Sequence, residues 1–422
     1  MYNLIKNLSL LLVGVLAALA LGEAGVKIME AMRRNKEISC ATLCKYSVIQ
    51  LDALNYNETA SPRSKPPGSF RILSFGDSFA YSIVRAPHHY HGLAANLASE
   101  LSKRPVRIVN LGEPAVSFYQ YMKAYEVWGK LFEHDAVIFN VYLGNDLLDV
   151  AYGYLPDDAP IHRLFLHLDR DLATGKTRSV ALPRKFPLRV FDYFYMAYLH
   201  YSGAIESVPT AGTTGPYNFA VAKLKENVWL DNLNAQLDNF DASKIDKLRD
   251  GYVAAIQFAR FVARLKDRGK RVVVLLSPNQ SQVNDNVLHG VVTTFNRDPS
   301  RIDLDLSAYL IQRIFHDSAK DIPLLYLRPV LKCAEQTGVS TYYETDTHWS
   351  AEGNQSVGRH LGRWLAINWF GAASDDSSNA LPCSNAVYEG SQSIRGTPER
   401  EFIYASRIKP LVASAPVSGR MQ

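Results

Sequence analysis

The stretch Arg71-Ile72-Leu73-Ser74-Phe75-Gly76-Asp77-Ser78 decides the fold. Its first five residues form a short β-type run that stops at a glycine, the residue that commonly turns a strand into a tight loop. The turn then presents an acid and a serine hydroxyl. Working outward, the same rhythm recurs. His91 to Lys103 carries apolar residues at helical spacing (Leu93, Ala94, Leu97, Ala98, Leu101), Val106 to Leu111 is a second strand, and Phe118 to Phe132 a second helix. Ala136 to Leu143 is almost continuously apolar, as a strand covered on both faces requires. Further on, Tyr252 to Lys266 is helical, Arg271 to Leu276 a strand and Leu304 to Phe315 helical. Pro323 to Leu327 is a short strand, and a last helix begins at Ser350 as N-cap and runs to Phe370. This alternation predicts an α/β fold with a parallel central sheet, helices on both faces and right-handed crossovers.

The rhythm fails after the third strand. Ala151 to Asp250 reads as a large insertion, with aromatic residues dense between Phe186 and Tyr201, either packed on the main domain or serving as a cap or substrate platform. The expected division is an N-terminal segment 1–34, a linker 35–68 rich in Pro and Ser at 61–68, a main domain 69–370 with insertion 151–250, and a tail 371–422.

Composition limits the function classes. With 47% hydrophobic and 21% charged residues the chain is globular, and a net charge of +5 without a basic run argues against nucleic acid as a partner. Leu8 to Leu21 is uncharged and apolar, so the N-terminus predicts a signal anchor, with cleavage after Ala18-Leu19-Ala20 as the alternative. Lys27, Arg33, Arg34 and Lys36 follow the run, against Lys6 before it, which by the positive-inside rule would hold the body in the cytoplasm. The expectation is nevertheless a membrane-tethered domain outside the cytoplasm. Cys40, Cys44, Cys333 and Cys383 permit two disulfides with undecided pairing.

In a parallel sheet the chemistry stands at the carboxyl ends of the strands. Those ends read Gly76-Asp77-Ser78, Asn110-Leu111-Gly112, Gly144-Asn145-Asp146 and Ser277-Pro278-Asn279, and Asp346-Thr347-His348-Trp349 precedes the last helix. A serine hydroxyl becomes a nucleophile when a base removes its proton. Ser78 is the candidate nucleophile, His348 the base, and Asp346 the group that fixes the imidazole tautomer. The N–H groups of Ser78 and Gly112 and the side-chain amide of Asn145 are candidate oxyanion donors. Asp146 and Asp77 read as structural groups. His88, His89 and His91 read as a solvated loop or the mouth of the cleft, without the partners of a metal site. Trp349 reads as packing or a sugar contact; Asn279 and Gln280 read as loop residues or substrate contacts.

GDSF at 76–79, NLG at 110–112, GND at 144–146 and DTHW at 346–349 resemble, in this order, the four blocks of the SGNH (GDSL-type) hydrolase superfamily. The resemblance implies a flavodoxin-like three-layer sandwich, no metal or organic cofactor, and the roles just given to Ser78, Gly112, Asn145, His348 and Asp346. Two departures stand out: Gly144 touches Asn145 directly, and Asp346 lies two residues before His348 rather than three. The short Asp-x-His-Trp form is similar to that of the membrane-tethered, alginate O-acetyltransferase-like branch. It implies an acyl-ester hydrolase or O-acyltransferase acting on an acylated carbohydrate or cell-envelope glycan. The alternatives are a non-catalytic binding or assembly subunit of an envelope polysaccharide machinery, and a cytoplasmic lipase-like hydrolase.

Overall fold

Strand β1 (Phe70–Gly76) is buried along its whole length, including Arg71 and Ser74, whose side chains find hydrogen-bond partners inside the fold. It pairs in parallel with β2 (Val106–Asn110) on one side and β3 (Ala136–Tyr142) on the other. Beyond β3 lie β4 (Arg271–Ser277) and β5 (Leu324–Tyr326), both parallel, so the sheet order is β2-β1-β3-β4-β5. All five expected strands are present, in a parallel α/β sheet. The order reverses between β1 and β3, the point at which such sheets open a crevice outside their strand ends. The computed structural model describes residues 14–28, 38–39, 64–81, 84, 88–112, 116–129, 132–151, 176–177, 188, 190–191, 194, 205–208, 221–224, 226–373, 383 and 394–414.

The helices used below are α1 (Ser78–Tyr81), α2 (Tyr90–Ser102), α3 (Phe118–Trp128), α4 (Asp146–Ala151), α5 (Glu226–Gln236), α6 (Arg249–Asp267), α7 (Leu306–Ser318), α8 (Arg328–Gln336) and α9 (Ala351–Phe370). The period-two alternation of the strands splits the core. On one face Ile72, Ile108, Ile138, Val273 and Leu275 pack with Ala94 and Ala98 of α2 and Val357, Leu361 and Leu365 of α9. A Cβ on Gly358 would stand 2.7 Å from that of Leu93, so glycine lets α2 and α9 approach closely. The other face is aromatic: Phe75 stacks on Phe139 at 5.6 Å, and Phe139 meets Phe258 of α6 edge-on at 5.1 Å. Ser350 caps α9 as its sequence predicts, its hydroxyl accepting from the Gly353 N–H at 3.0 Å.

The chain divides into two compact units, Met1–Tyr46 with Tyr152–Ile205, and Ser47–Ala151 with Glu206–Gln422. The second holds the sheet. Residues 226–250 pack within that unit: Leu233, Leu237, Phe240 and Leu248 are fully buried. The C-terminal segment is also built in. Arg400 forks onto Asp303, with both N–O distances 2.5 Å, and Tyr404 donates to Asp317 at 2.6 Å. Cys333 of α8 is disulfide-bonded to Cys383, which decides that pairing; Cys40 and Cys44 lie outside the described residues, as does most of the aromatic stretch 186–201.

In the first unit a helix covers 14–28, where Glu23 accepts from the Val190 N–H at 3.0 Å and pairs with Lys27 at 3.6 Å. Spanning a bilayer takes about 20 apolar residues. No helix among the described residues is long and apolar enough to cross a membrane, so the expected transmembrane helix finds no support among them; the first part of the apolar run, residues 8–13, lies outside the described residues.

Candidate active site

Ser78 stands where β1 turns into α1. It is half-buried, between a fully buried Asp77 and a buried Phe79. Asp77 shapes the turn from within: its carboxylate accepts the Phe79 N–H at 3.0 Å, and its carbonyl accepts those of Ala80 at 3.1 Å and Tyr81 at 2.9 Å. The end of β2 is locked against α1. Asn110 donates to the Ala80 carbonyl at 2.6 Å and accepts the Gly112 N–H at 2.9 Å. A Cβ at position 112 would lie 2.5 Å from the Tyr81 nitrogen, so only glycine fits. Because the Gly112 N–H already serves Asn110, it reaches a substrate oxyanion only as a shared donor.

His348 arrives from the loop before α9. Thr345 adopts φ 52°, a left-handed conformation that costs a β-branched residue on the order of 1–2 kcal/mol. The chain then folds so that Asp346 Oδ1 meets both His348 Nδ1 at 2.5 Å and the His348 backbone N–H at 3.0 Å. One carboxylate oxygen thus orients ring and backbone together, which is how the short Asp-x-His spacing places the acid on the imidazole. Nδ1 is the donor in this pair, which leaves Nε2 to accept a proton.

Phe79 joins the two loops. Its ring centroid is 5.2 Å from that of His348, 5.0 Å from Trp349 and 4.2 Å from Tyr142. The residue on either side of Ser78 therefore answers to His348: Phe79 by ring contact, and Asp77 by charge. Burial alone would lower the His348 pKa, but the charge and hydrogen bond of Asp346, with the charge of Asp77, outweigh it and raise the pKa. Burial would raise Asp346, and His348 outweighs it in turn, so that carboxyl is lowered.

Beyond β3, Asn145 is half-buried, and its Oδ1 is buried with no hydrogen-bond partner among the described residues. The turn that carries it is held by Asn239, whose amide donates to the carbonyls of Leu143 at 3.0 Å and Gly144 at 2.8 Å. Sequence reasoning missed Asn239 because it falls in the arrhythmic stretch before α6. Asp146 accepts from the Tyr121 hydroxyl at 2.8 Å and the Tyr142 N–H at 3.0 Å, a structural role. Asp77, Asp146 and Asp149 form an acidic floor to the site, the first two fully buried and Asp149 half-buried, and the charge of Asp77 reaches both of the others. Burial and the charge of Asp77 raise Asp146 far above the usual carboxyl range, and push Asp149 up to about 8. Burial likewise raises Asp77 against its own hydrogen bonds.

The histidine cluster departs from the expected solvated loop. His88 is exposed, but His89 and His91 are buried, and His91 Nε2 meets the Ser74 hydroxyl at 2.7 Å. They begin a polar seam between α2 and the sheet, continued by the Tyr90 hydroxyl, which accepts from Asn140 at 3.1 Å, and by Ser277, which donates to Asn140. Burial pushes His89 down to about 3 and His91 well below the usual range, so both are neutral. No group of three or more His, Cys, Asp or Glu among the described residues is placed to hold a metal ion. Trp349 is buried, packed edge-on against Phe79 and Tyr90. Asn279 caps the helix Gln280–Val283, and Gln280 accepts from the Trp229 indole at 3.1 Å. Both side chains are engaged by the protein.

Residues 252–378 match the family model described as the SGNH hydrolase-like domain of the acetyltransferase AlgX. The match includes the DTHW block and α9, and leaves out the first three blocks. The resemblance to SGNH hydrolases, and to that acetyltransferase branch, is thus found independently of those blocks. No curated protein sequence matches the chain. Solved structures resemble it distantly. A protein assigned to the G-D-S-L lipolytic family of Desulfitobacterium hafniense is 10% identical, with 69% of this chain and 98% of that chain covered and a TM-score of 0.29. An acetylxylan esterase of Geobacillus stearothermophilus is 12% identical, covering 71% and 95%, with a TM-score of 0.32. A lipase from a goat rumen metagenome is 11% identical, covering 72% and 99%, with a TM-score of 0.32. At these values the likeness stands as an observation, and the fold is read from the sheet itself.

Proposed function

We propose that this protein is a serine-dependent acyl-ester hydrolase or O-acyltransferase that acts on an acylated glycan through an acyl-Ser78 intermediate. One observation carries the reading: an Asp346-oriented His348 lies in ring contact with Phe79, the residue next to Ser78. Ser78 Oγ attacks the ester carbonyl carbon while its proton passes to His348 Nε2. The oxyanion takes hydrogen bonds from the Ser78 N–H and the Asn145 amide, with Gly112 as the shared donor. The C–O bond to the alcohol then breaks, and His348 returns its proton to the departing oxygen. Water or a sugar hydroxyl next attacks the acyl carbon, gives its proton to His348, and frees Ser78. Hydrolysis and transfer use the same groups and differ only in the second acceptor.

In this proposal the catalytic domain lies outside the cytoplasm and its substrate is a cell-envelope glycan. A disulfide between Cys333 and Cys383 is suited to an oxidising compartment, and export remains part of the proposal. The test is incubation of the full chain with p-nitrophenyl acetate, with and without oligosaccharide acceptors, followed by product analysis. Release of p-nitrophenol that is lost in Ser78→Ala supports the enzyme, and acetylated oligosaccharide in the products assigns transfer. Folded protein that neither turns over nor retains an acyl group is instead the non-catalytic binding subunit.

A further inference from the structure

Within the first compact unit, the helix over 14–28 and the residues Leu188, Val190, Phe191 and Phe194 lie against each other, and both keep apolar side chains on the outside. Val15, Leu16, Leu21 and Ile28 are exposed on the helix, Leu21 at 75%. Leu188, Phe191 and Phe194 are exposed beside it, Phe194 at 62%. Among the described residues, Phe402 is the one other large apolar side chain so exposed. Contiguous apolar surface of this kind marks contact with a membrane or a partner.

The protein covers only one stripe of the helix. Leu19, Gly22, Glu23 and Val26, at helical spacing, are half-buried, and every other position from 14 to 28 is exposed. Val190 lies on that stripe: a Cβ at Gly22 would stand 3.3 Å from its side chain, and Glu23 accepts its N–H at 3.0 Å. The remaining faces carry Val, Leu, Ala and Gly as far as Gly22. A helix apolar on every side is buried in protein or in lipid, so an apolar medium covers what the protein leaves open.

The sequence around the two segments says which medium. Leu8 to Val13, before the helix, carry no charge, and the first charged residue after them is Glu23. That is the residue joined to Val190, so Phe191 and Phe194 are fastened where the apolar run ends. A bilayer has the same order in depth: hydrocarbon, then an interface where aromatic rings collect, then charged headgroups. Basic residues outnumber acidic ones on both flanks. Arg33, Arg34 and Lys36 follow the helix with Glu30 and Glu37, and Arg184, Lys185 and Arg189 accompany Asp192. Such an excess suits anionic lipid. A second copy of the chain offers no matching gradient of polarity.

We infer that these two segments form one membrane-docking surface: the helix embeds its apolar part in an anionic phospholipid bilayer, and Leu188, Phe191 and Phe194 rest at the interface beside Glu23. The described part of the aromatic stretch then serves the membrane rather than a substrate. The inference holds whether or not Ser78 forms an acyl-enzyme.

Photolabelling of the full chain tests it. The chain is synthesised cell-free into vesicles of phosphatidylcholine and phosphatidylglycerol that carry a phospholipid with a diazirine either beside the headgroup or at the chain end. Lipid adducts are then located by peptide mass spectrometry. Residues 14–21 take label mainly from the chain-end probe, and the peptide carrying 188–194 mainly from the headgroup probe. The peptide carrying Phe402, exposed in the other unit, takes at least tenfold less of either. Phe194→Asp lowers labelling at 188–194 at least threefold and leaves the helix labelled. The inference is overturned if 188–194 takes no more lipid than the Phe402 peptide, if Phe194→Asp leaves its labelling unchanged, or if residues 14–21 take no lipid, as when a second copy or another protein covers the helix.

Discussion

Asp346 on the rim and Asp77 on the floor both act on the charge of His348, yet they are driven in opposite directions. Asp346 touches the imidazole and is lowered; Asp77, which has no cation in contact and whose Oδ2 has no partner among the described residues, is raised, as are Asp146 and Asp149 behind it. Burial acts on all four in the same sense, so the cationic partner decides the outcome. The rim is a carboxylate–imidazole pair that, with the imidazole neutral, takes a proton at Nε2. The floor is an acidic layer whose carboxyls burial pushes towards the protonated form, and the hydrogen bonds of Asp77 and Asp146 shape the turns that carry Ser78 and Asn145.

The comparison is broken most forcefully by removing the rim. Ser78→Ala lowers kcat on p-nitrophenyl acetate by about ten-thousand-fold or more, with the fold intact by circular dichroism. Asp346→Asn lowers kcat by about a thousandfold, because an amide at 346 no longer stabilises the His348 imidazolium or fixes its tautomer. Removing Asp346 also moves the acidic limb of the pH profile. The base must be neutral, and the His348 pKa is raised in the wild type, so wild-type kcat/KM climbs with pH through that raised pKa; in Asp346→Asn the residual activity climbs at lower pH. Asn145→Ala costs about a hundredfold in kcat with little change in KM, the signature of a donor used in the transition state.

The smallest effect is expected on the floor, and in stability rather than rate. Asp149 is raised to about 8, so the folded protein keeps its proton at pH 7 while the unfolded chain releases it near pH 4. That linkage costs stability as pH rises from about 4 to 8. Asp149→Asn keeps the neutral form permanently, so its Tm exceeds that of the wild type by a few degrees at pH 8, with the difference vanishing near pH 4. An Asp149→Asn variant that melts lower than the wild type at pH 8 would show a floor held by ionised carboxylates.

Much of this was legible in the sequence because the relevant signals are local. The continuous apolar run of β3, the Ser350 cap and the helical period of α6 each predict an element within a few residues of where it lies. The block residues at the strand ends follow from the parallel sheet. What escaped depends on contacts between distant stretches. Nothing near His89 and His91 tells that both are buried, His91 against Ser74. Asn239 reaches Gly144 across 95 positions of sequence. Thr345 enters a left-handed conformation at a residue type that disfavours it, so no turn signal marks the loop. Four cysteines allow three pairings, and only the fold selects Cys333 with Cys383.

The central claim is that His348 activates Ser78. Its most direct test is the rate at which a fluorophosphonate labels the full chain, with the modified residue located by peptide mass spectrometry. The account predicts a single adduct on Ser78, formed faster as pH rises through the His348 titration and almost abolished in His348→Ala. Labelling of Ser78 at the same rate in folded His348→Ala, or a folded wild-type protein that takes no label, would contradict it.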